Sequence, residues 1–137
     1  IKSLAIRNNS SSNEPKTVVL DFEGEGVVTA ADMALITSNL VNSEHGDELL
    51  SILGTYSYKI NGIELVHDYS NFFDSDGVIG FKTGWTDRAG QTMITIFERE
   101  GKKIVTVTLK GNYRDEKGPD ALMLADYAYE NIKHKSK

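Results

Sequence analysis

The stretch from Gly77 to Gly90, GVIGFKTGWTDRAG, constrains the fold of this chain more than any other. It predicts a β-strand that ends at a charged, glycine-flanked edge. Because side chains along a strand alternate in direction, we expect Gly80, Lys82 and Gly84 on one side, with nothing crowding the lysine. The hydroxyl of Thr83 is expected at the strand edge. The pattern suits an anionic, extended substrate that pairs as an added strand.

Two more strands are predicted directly after this one. Gln91 to Glu98 alternates in polarity, Glu100-Gly101 marks a turn, and Lys103 to Leu109 alternates again. Strands joined by such short connections should be antiparallel neighbours. Pro119 then occupies a predicted first helical position. The apolar residues that follow at helical spacing predict a closing helix and are Leu122, Ala125, Tyr129 and Ile132.

Two helices are predicted before the strands. The Thr29 hydroxyl can cap the amide of Asp32 at a helix start, and apolar residues then form one stripe, Met33, Ile36, Leu40 and Val41. A shorter helix from about Glu44 to Leu53 is predicted to stop at Gly54.

A β-hairpin is predicted between these helices and the glycine-flanked strand. Tyr56 to Ile60 and Ile63 to His67 are joined by Asn61-Gly62, and Asn-Gly suits the two positive φ angles of a type I′ turn. His67 is interpreted as a residue at the end of a strand. Helices, a hairpin, three antiparallel strands and a closing helix make an α+β fold.

The amino-terminal part carries weaker signals. Ile1 to Lys16 predicts a short apolar start followed by a solvated loop, and Thr17 to Phe22 predicts a short strand or an extended connector. Acidic residues from Asp21 to Asp32 match a calcium-loop spacing only loosely. Because no two histidines have metal-ligand spacing either, we predict no metal and no cofactor.

Composition excludes several classes of function. The 137 residues suit one domain or part of one, and the net charge of −5 argues against a nucleic-acid partner. There is no cysteine for a disulfide, and no apolar run approaches the roughly 18 residues of a membrane span. Because the chain begins with Ile1 rather than Met, we expect a processed or excised piece.

The segment from Gly80 to Gly90, GFKTGWTDRAG, resembles the D-alanyl-D-alanine carboxypeptidases, the low-molecular-mass penicillin-binding proteins. Their pattern here is G-I-K-T-G-[YHW]-T-x-x-A-G. Thr29 to Ile36, TAADMALI, resembles the S-x-x-D-M-A-x-I helix of that family, and Leu4 to Ser10 resembles its LGMKNT segment. The three matches occur in the family's order, from Leu4 to Gly90.

The resemblance implies the second half of the β-lactamase and transpeptidase-like fold. It also implies a serine acyl-enzyme that removes the terminal D-alanine from peptidoglycan stem peptides and reacts with β-lactams, outside the cytoplasmic membrane. By resemblance, Lys82 organises charge and protons, Thr83 and Gly84 bind substrate, and the Trp85 amide donates to the oxyanion. Arg114 is the candidate that meets the substrate carboxylate, with Lys117 as the alternative.

The family's nucleophile is missing from the chain. No Ser or Thr followed three positions later by Lys opens a helix. We therefore expect the carboxy-terminal portion of such an enzyme, inactive alone. Three arrangements are open: a fragment of a longer enzyme, a cleaved subunit whose amino-terminal companion chain holds the serine, or a half that swaps with a second copy. A β-lactamase-like enzyme and a noncatalytic peptidoglycan- or peptide-binding module remain alternatives, and Thr86 to Gly90, TDRAG, favours the peptidase.

Overall fold

The structure, a computed structural model, describes residues 3–6, 18–21, 27–111 and 117–135. Its helices are α1 (Ala30–Val41), α2 (Gly46–Leu53), a 3₁₀ helix (Ser70–Asp74) and α3 (Lys117–Lys135). Its strands are β1 (Ser3–Ile6), β2 (Val18–Asp21), β3 (Ser57–Ile60), β4 (Ile63–Val66), β5 (Val78–Thr86), β6 (Gly90–Arg99) and β7 (Lys102–Gly111). The predicted α+β class is confirmed.

The strands form three antiparallel sheets: β1 with β2, β3 with β4, and β5, β6 and β7 in that order. The last of these confirms the predicted three neighbouring strands. β1 forms from the predicted apolar start, with Leu4 opposite Leu20 in a ladder with β2, and β2 confirms the strand predicted between Thr17 and Phe22. Pairing supplies hydrogen-bond partners that a short apolar segment could not find on its own. The rest of the predicted loop lies outside the described residues.

The main hydrophobic core lies between one face of the three-stranded sheet and α3. Phe97 of β6 and Ala125 of α3 have no exposed surface at all. The 3₁₀ helix closes the same cluster with Phe72. The predicted apolar stripe of the last helix is confirmed by the burial of Ala125 and Tyr129. The helix begins at Lys117, two residues before the expected Pro119.

The opposite face of the sheet is packed by α2, and α1 contacts both β7 and α2. α2 begins at Gly46, later than the predicted Glu44, and ends before Gly54 as expected. Gly54 does not adopt the left-handed conformation usual for a helix-ending glycine, since its φ is −90°. Its role is close approach: a Cβ atom there would lie 2.7 Å from the carbonyl oxygen of Ile79.

The start of α1 is capped as predicted. The Thr29 hydroxyl accepts from the Asp32 amide at 3.1 Å, and the Asp32 carboxylate accepts from the Thr29 amide at 3.3 Å. This reciprocal pair is a capping box. The predicted stripe is only partly buried, because Val41 is covered while Leu40 is half-exposed.

The predicted type I′ hairpin is confirmed by positive φ angles of 50° at Asn61 and 80° at Gly62. Glu100 and Gly101 make a second such turn between β6 and β7, with φ angles of 52° and 72°. One face of the β3–β4 hairpin is apolar and largely exposed and consists of Tyr58, Ile60, Ile63 and Leu65.

None of the described helices combines the length and the apolar character that crossing a membrane requires.

Candidate functional site

The predicted site lies on β5, which is an edge strand of its sheet within the described part of the chain. The expected alternation of side chains is present. Phe81 is buried with 2% of its surface exposed, and the next residue, Lys82, is exposed. Thr83 and Gly84 are half-buried, and Trp85 is 59% exposed. The strand therefore passes from the core to the surface within these five residues.

The ammonium of Lys82 lies at the surface and not in the hydrophobic core. Its Nζ donates a hydrogen bond to the carbonyl oxygen of the adjacent Thr83. The lysine thus remains accessible for a charged partner and is held close to the strand backbone.

The expectation that both glycines leave open space beside Lys82 is wrong for Gly80. Gly80 is buried, and a Cβ atom built on it would lie 2.9 Å from Cβ of Leu53. The missing side chain makes room for α2 and not for a ligand. The sequence pattern did not reveal this because close helix packing and ligand access both favour glycine.

Gly84 is covered on the same face by a polar group. A Cβ atom at Gly84 would lie 2.8 Å from Oγ1 of Thr92 on β6. The Thr92 hydroxyl donates to the Gly84 carbonyl oxygen at 3.3 Å. Gly84 therefore allows a neighbouring hydroxyl to approach its backbone.

The direction of the backbone groups follows from this contact. The Gly84 carbonyl points toward β6, where Gly84 lies opposite Thr92. Backbone groups of successive strand residues point to opposite sides. The carbonyl of Thr83 and the amide of Trp85 consequently point to the outer edge of β5. The Trp85 amide is thus a donor that faces an extended peptide, beside an acceptor on Thr83 to which Lys82 already donates.

Aromatic packing fixes the middle of β5 from the opposite face. The Phe81 ring contacts the rings of Phe72 and Phe73 from the 3₁₀ helix at centroid distances of 5.2 and 4.6 Å. His67 joins this group 4.7 Å from Phe81, edge to face, and its Nδ1 accepts from the Tyr69 amide at 3.1 Å. The prediction of a strand-end residue holds, and the structure adds a packing role.

A cluster of charges fixes the beginning of β5. Nε of Arg99 lies 2.9 Å from a carboxylate oxygen of Asp76, and Nη1 lies 2.5 Å from Oδ1 of Asp126 on α3. The Asp76 carbonyl accepts from Arg99 as well, at 3.0 Å. The hydrogen bond to Asp126 is the main cause that raises the pKa of Arg99 above its usual value. Asp76 thus holds Arg99 through both its carboxylate and its backbone carbonyl.

The far end of β5 is closed by its own turn. The Thr86 hydroxyl accepts from the Ala89 amide at 3.0 Å, and Gly90 has a φ of 65°. Two residues of the TDRAG signature therefore serve the geometry of the turn.

Two expectations have no counterpart among the described residues. Arg114 lies outside them, as do the side-chain surroundings of Lys117.

Among residues 27–111 and the described side chains of α3, no three His, Asp or Glu side chains form a group that could hold a metal ion.

A cleft of about 480 Å³ lies between the 3₁₀ helix and the start of α3, with Tyr69, Met93 and Leu122 among its lining residues. The predicted site residues of β5 do not line it. The candidate site is therefore the strand edge itself.

A family model described as D-alanyl-D-alanine carboxypeptidase matches residues 2–112 of the chain. This match includes all of β5 and extends over more than half of the sequence.

Similar solved structures agree with this match. Penicillin-Binding Protein D2 from Listeria monocytogenes in its cefotaxime-bound form is 25% identical, with a TM-score of 0.70, over 86% of this chain and 49% of its own. The ampicillin-bound form is 27% identical, with a TM-score of 0.69. The match covers 80% of this chain and 45% of the Listeria chain.

A D-alanyl-D-alanine carboxypeptidase from Mycobacterium tuberculosis is 23% identical, with a TM-score of 0.61. The match covers 74% of this chain and 40% of the mycobacterial chain. At this identity it supports the fold alone. The chain spans less than half the length of these three structures. Its fold resembles the carboxy-terminal part of penicillin-binding, transpeptidase-like domains.

Proposed function

Because the chain belongs to the D-alanyl-D-alanine carboxypeptidase family, we propose that it supplies one wall of the active site of a serine-type carboxypeptidase. The observation that carries this proposal is the outer edge of β5. An exposed lysine, a threonine and an outward-pointing amide follow one another there, on Lys82, Thr83 and Trp85. The proposed substrate is the stem peptide of peptidoglycan, outside the cytoplasm.

The proposed reaction begins when a serine hydroxyl attacks the carbonyl carbon of the penultimate D-alanine. The peptide C–N bond breaks, the terminal D-alanine leaves as an amine with the serine proton, and water then hydrolyses the ester. The Trp85 amide donates to the oxygen that becomes negative during both steps. An extended peptide along β5 has the geometry for this contact.

Lys82 and Thr83 have roles in substrate recognition in this proposal. The positive charge of Lys82 attracts the substrate carboxylate and helps to organise protons in the cleft. Thr83 holds the carboxylate end through its hydroxyl, and Gly84 contributes as the small residue that keeps the strand backbone close to Thr92. Arg114 is proposed as a second cation for the same carboxylate, and this role rests on the family resemblance alone.

We propose that the nucleophile comes from outside this sequence. No lysine in the chain lies three positions after a serine or threonine. β7 is the other edge strand of the described sheet. A groove of about 460 Å³ runs beside it, lined by Leu109, Met123 and Tyr127, and Met123 and Tyr127 are each about two-thirds exposed. An unpaired strand edge next to apolar surface suits a companion segment or a swapped second copy.

A penicillin is the direct probe of this proposal, because the similar Listeria protein was solved in ampicillin- and cefotaxime-bound forms. The complete protein encoded by the source gene should become covalently labelled by a fluorescent penicillin, and this chain alone should not. Lys82→Ala in the complete protein should reduce labelling strongly. Lys59→Ala is the matched control, since it removes another exposed strand lysine on β3.

The alternatives give different results in the same experiment. A noncatalytic binding module would not be labelled in any form, although it would still retain peptidoglycan fragments. A β-lactamase-like enzyme would be labelled transiently and would release hydrolysed penicillin quickly. Stable labelling together with release of D-alanine from a D-alanyl-D-alanine peptide supports the carboxypeptidase.

A further inference from the structure

We propose that Thr92 is a positioning residue that aims the Trp85 amide at the oxyanion. This inference rests on the proposed function, because it concerns the direction of the donor assigned there. Thr92 lies on β6, outside the Lys-Thr-Gly segment. It is half-buried and lies opposite Gly84 in the β5–β6 ladder.

Two observations place the Thr92 hydroxyl on the peptide unit between Gly84 and Trp85. Oγ1 donates to the Gly84 carbonyl oxygen at 3.3 Å. The same oxygen lies 2.8 Å from the point where a Gly84 Cβ atom would be. The hydroxyl thus occupies the space of a missing side chain, and any other residue at position 84 would displace it.

The planarity of the peptide bond connects this contact to the site. The Gly84 carbonyl and the Trp85 amide belong to one rigid, trans unit, in which C=O and N–H point in opposite directions. A hydrogen bond from Thr92 that holds the Gly84 carbonyl toward β6 therefore directs the Trp85 N–H toward the outer edge of β5. Because that edge carries no neighbouring strand within the described residues, the orientation must be held from the β6 side.

An irregularity in the sheet makes an additional contact useful at this position. The pairing of β6 with β7 shifts register between Gln91 and Met93, on either side of Thr92. Lys110 on the bulged strand has a φ of 55°. Bulges disrupt the ladder locally and bend the strand. The β5–β6 ladder is regular at Gly84 and Thr92, so the hydroxyl adds a side-chain contact to β5 from a strand whose pairing on its other side is shifted.

The test compares three variants of the complete protein by their rate of acylation with fluorescent penicillin. Thr92→Val keeps the shape and removes the donor, and we expect about tenfold slower acylation, less than the roughly 10²–10³ for loss of an oxyanion donor. Thr92→Ser keeps the hydroxyl and should restore the rate. Thr108→Val is the matched control, because it removes a similar cross-strand contact to the Met93 carbonyl, at 3.5 Å.

A positioning role also predicts which kinetic parameter changes. With a D-alanyl-D-alanine peptide, Thr92→Val should lower kcat and leave KM nearly unchanged, because the amide acts on charge that develops in the transition state. Equal acylation rates for Thr92→Val and the wild type would overturn the inference. Equal losses in Thr92→Val and Thr108→Val would also overturn it, since they would indicate a general loss of sheet stability.

A spectroscopic measurement separates this inference from the proposed function. The ¹³C shift of the Gly84 carbonyl and the hydrogen exchange of the Trp85 amide should change in Thr92→Val and return in Thr92→Ser. Unchanged values overturn the positioning role. A wild-type complete protein that is never acylated overturns the proposed function instead, and with it the oxyanion role of Trp85.

Discussion

Leu53 at the end of α2 lies directly on Gly80 of β5, at a distance that leaves no room for a methyl group. A Cβ atom on Gly80 would be 2.9 Å from Cβ of Leu53 and 3.2 Å from its carbonyl carbon. Gly54 approaches the neighbouring Ile79 just as closely. The end of α2 therefore fixes the strand two residues before Lys82.

Gly80→Ala should destabilise the fold by about 1–3 kcal/mol, because the added methyl group overpacks a contact that includes backbone atoms. Gly111→Ala is the matched control, since a Cβ atom there would have only ordinary contacts, the nearest at 3.6 Å to the Gln91 carbonyl oxygen. Urea unfolding of both variants measures the difference. A Gly80→Ala variant as stable as Gly111→Ala would contradict the described packing.

Thr95→Val should stabilise the protein by about 1 kcal/mol. Thr95 is fully buried, and its hydroxyl has no hydrogen-bond partner among the described residues. Removing a buried, unpaired hydroxyl without changing the side-chain shape removes a desolvation penalty. Thr86→Val should instead destabilise the protein, because the Thr86 hydroxyl accepts a hydrogen bond from the Ala89 amide. Thermal unfolding tests both signs.

The stability of the protein should fall at alkaline pH because of Tyr129. Burial raises the pKa of Tyr129 above its ordinary value of about 10, so the folded state retains the proton more tightly than the unfolded chain. The resulting stability is present below pH ~10 and is lost as pH rises through the raised pKa. Tyr129→Phe should be less stable at pH 7 by about 0.5–1.5 kcal/mol, having lost the 2.8 Å bond to the Lys102 carbonyl.

The difference between Tyr129→Phe and the wild type should therefore narrow as pH rises above about 10. Denaturant unfolding between neutral and alkaline pH measures this. Tyr127→Phe is the control, because it removes a phenol hydroxyl from the same helix at an exposed position. A constant difference between Tyr129→Phe and the wild type at all pH values would be inconsistent with the buried phenol.

Arg99 and Asp126 should show a coupling free energy of about 0.5–1 kcal/mol in a double-mutant cycle of Arg99→Met and Asp126→Asn. The expected coupling free energy is modest because the Asp126 side chain is 59% exposed. A cycle of Arg99→Met with Asp120→Asn, an exposed carboxylate on the same helix, should give a coupling near zero. Coupling lost at high salt would indicate simple charge attraction, and coupling that persists would indicate the hydrogen bond.

Local signals in the sequence predicted the elements around the site well. The Thr29 cap, the Asn61-Gly62 turn and the alternating strands each depend on neighbouring residues, so sequence patterns can reveal them. Long-range pairing was harder to predict. The pairing of Ser3–Ile6 with β2 joins two separate segments of the chain, and no short-range pattern indicates it.

The site residues illustrate the same limit. The alternation along β5 correctly separated Lys82 from Phe81, because it follows from strand geometry alone. The contacts of Gly80 with Leu53 and of Gly84 with Thr92 join segments distant in sequence. The alternation rule places glycines on a face, but it does not say which neighbour fills the space above them. The position of Arg114 stays a prediction, since it lies outside the described residues.

The hydrogen bond that Lys82 donates to the Thr83 carbonyl has a consequence for how a ligand would arrive. In β5, the outward-pointing carbonyl oxygen of Thr83 already accepts a hydrogen bond from the neighbouring Lys82 ammonium. Under the proposed function, an incoming peptide amide competes for that oxygen and releases the ammonium as it docks. Binding of the peptide and release of the Lys82 ammonium would then occur together. The stem peptide would free the cation that its own terminal carboxylate requires.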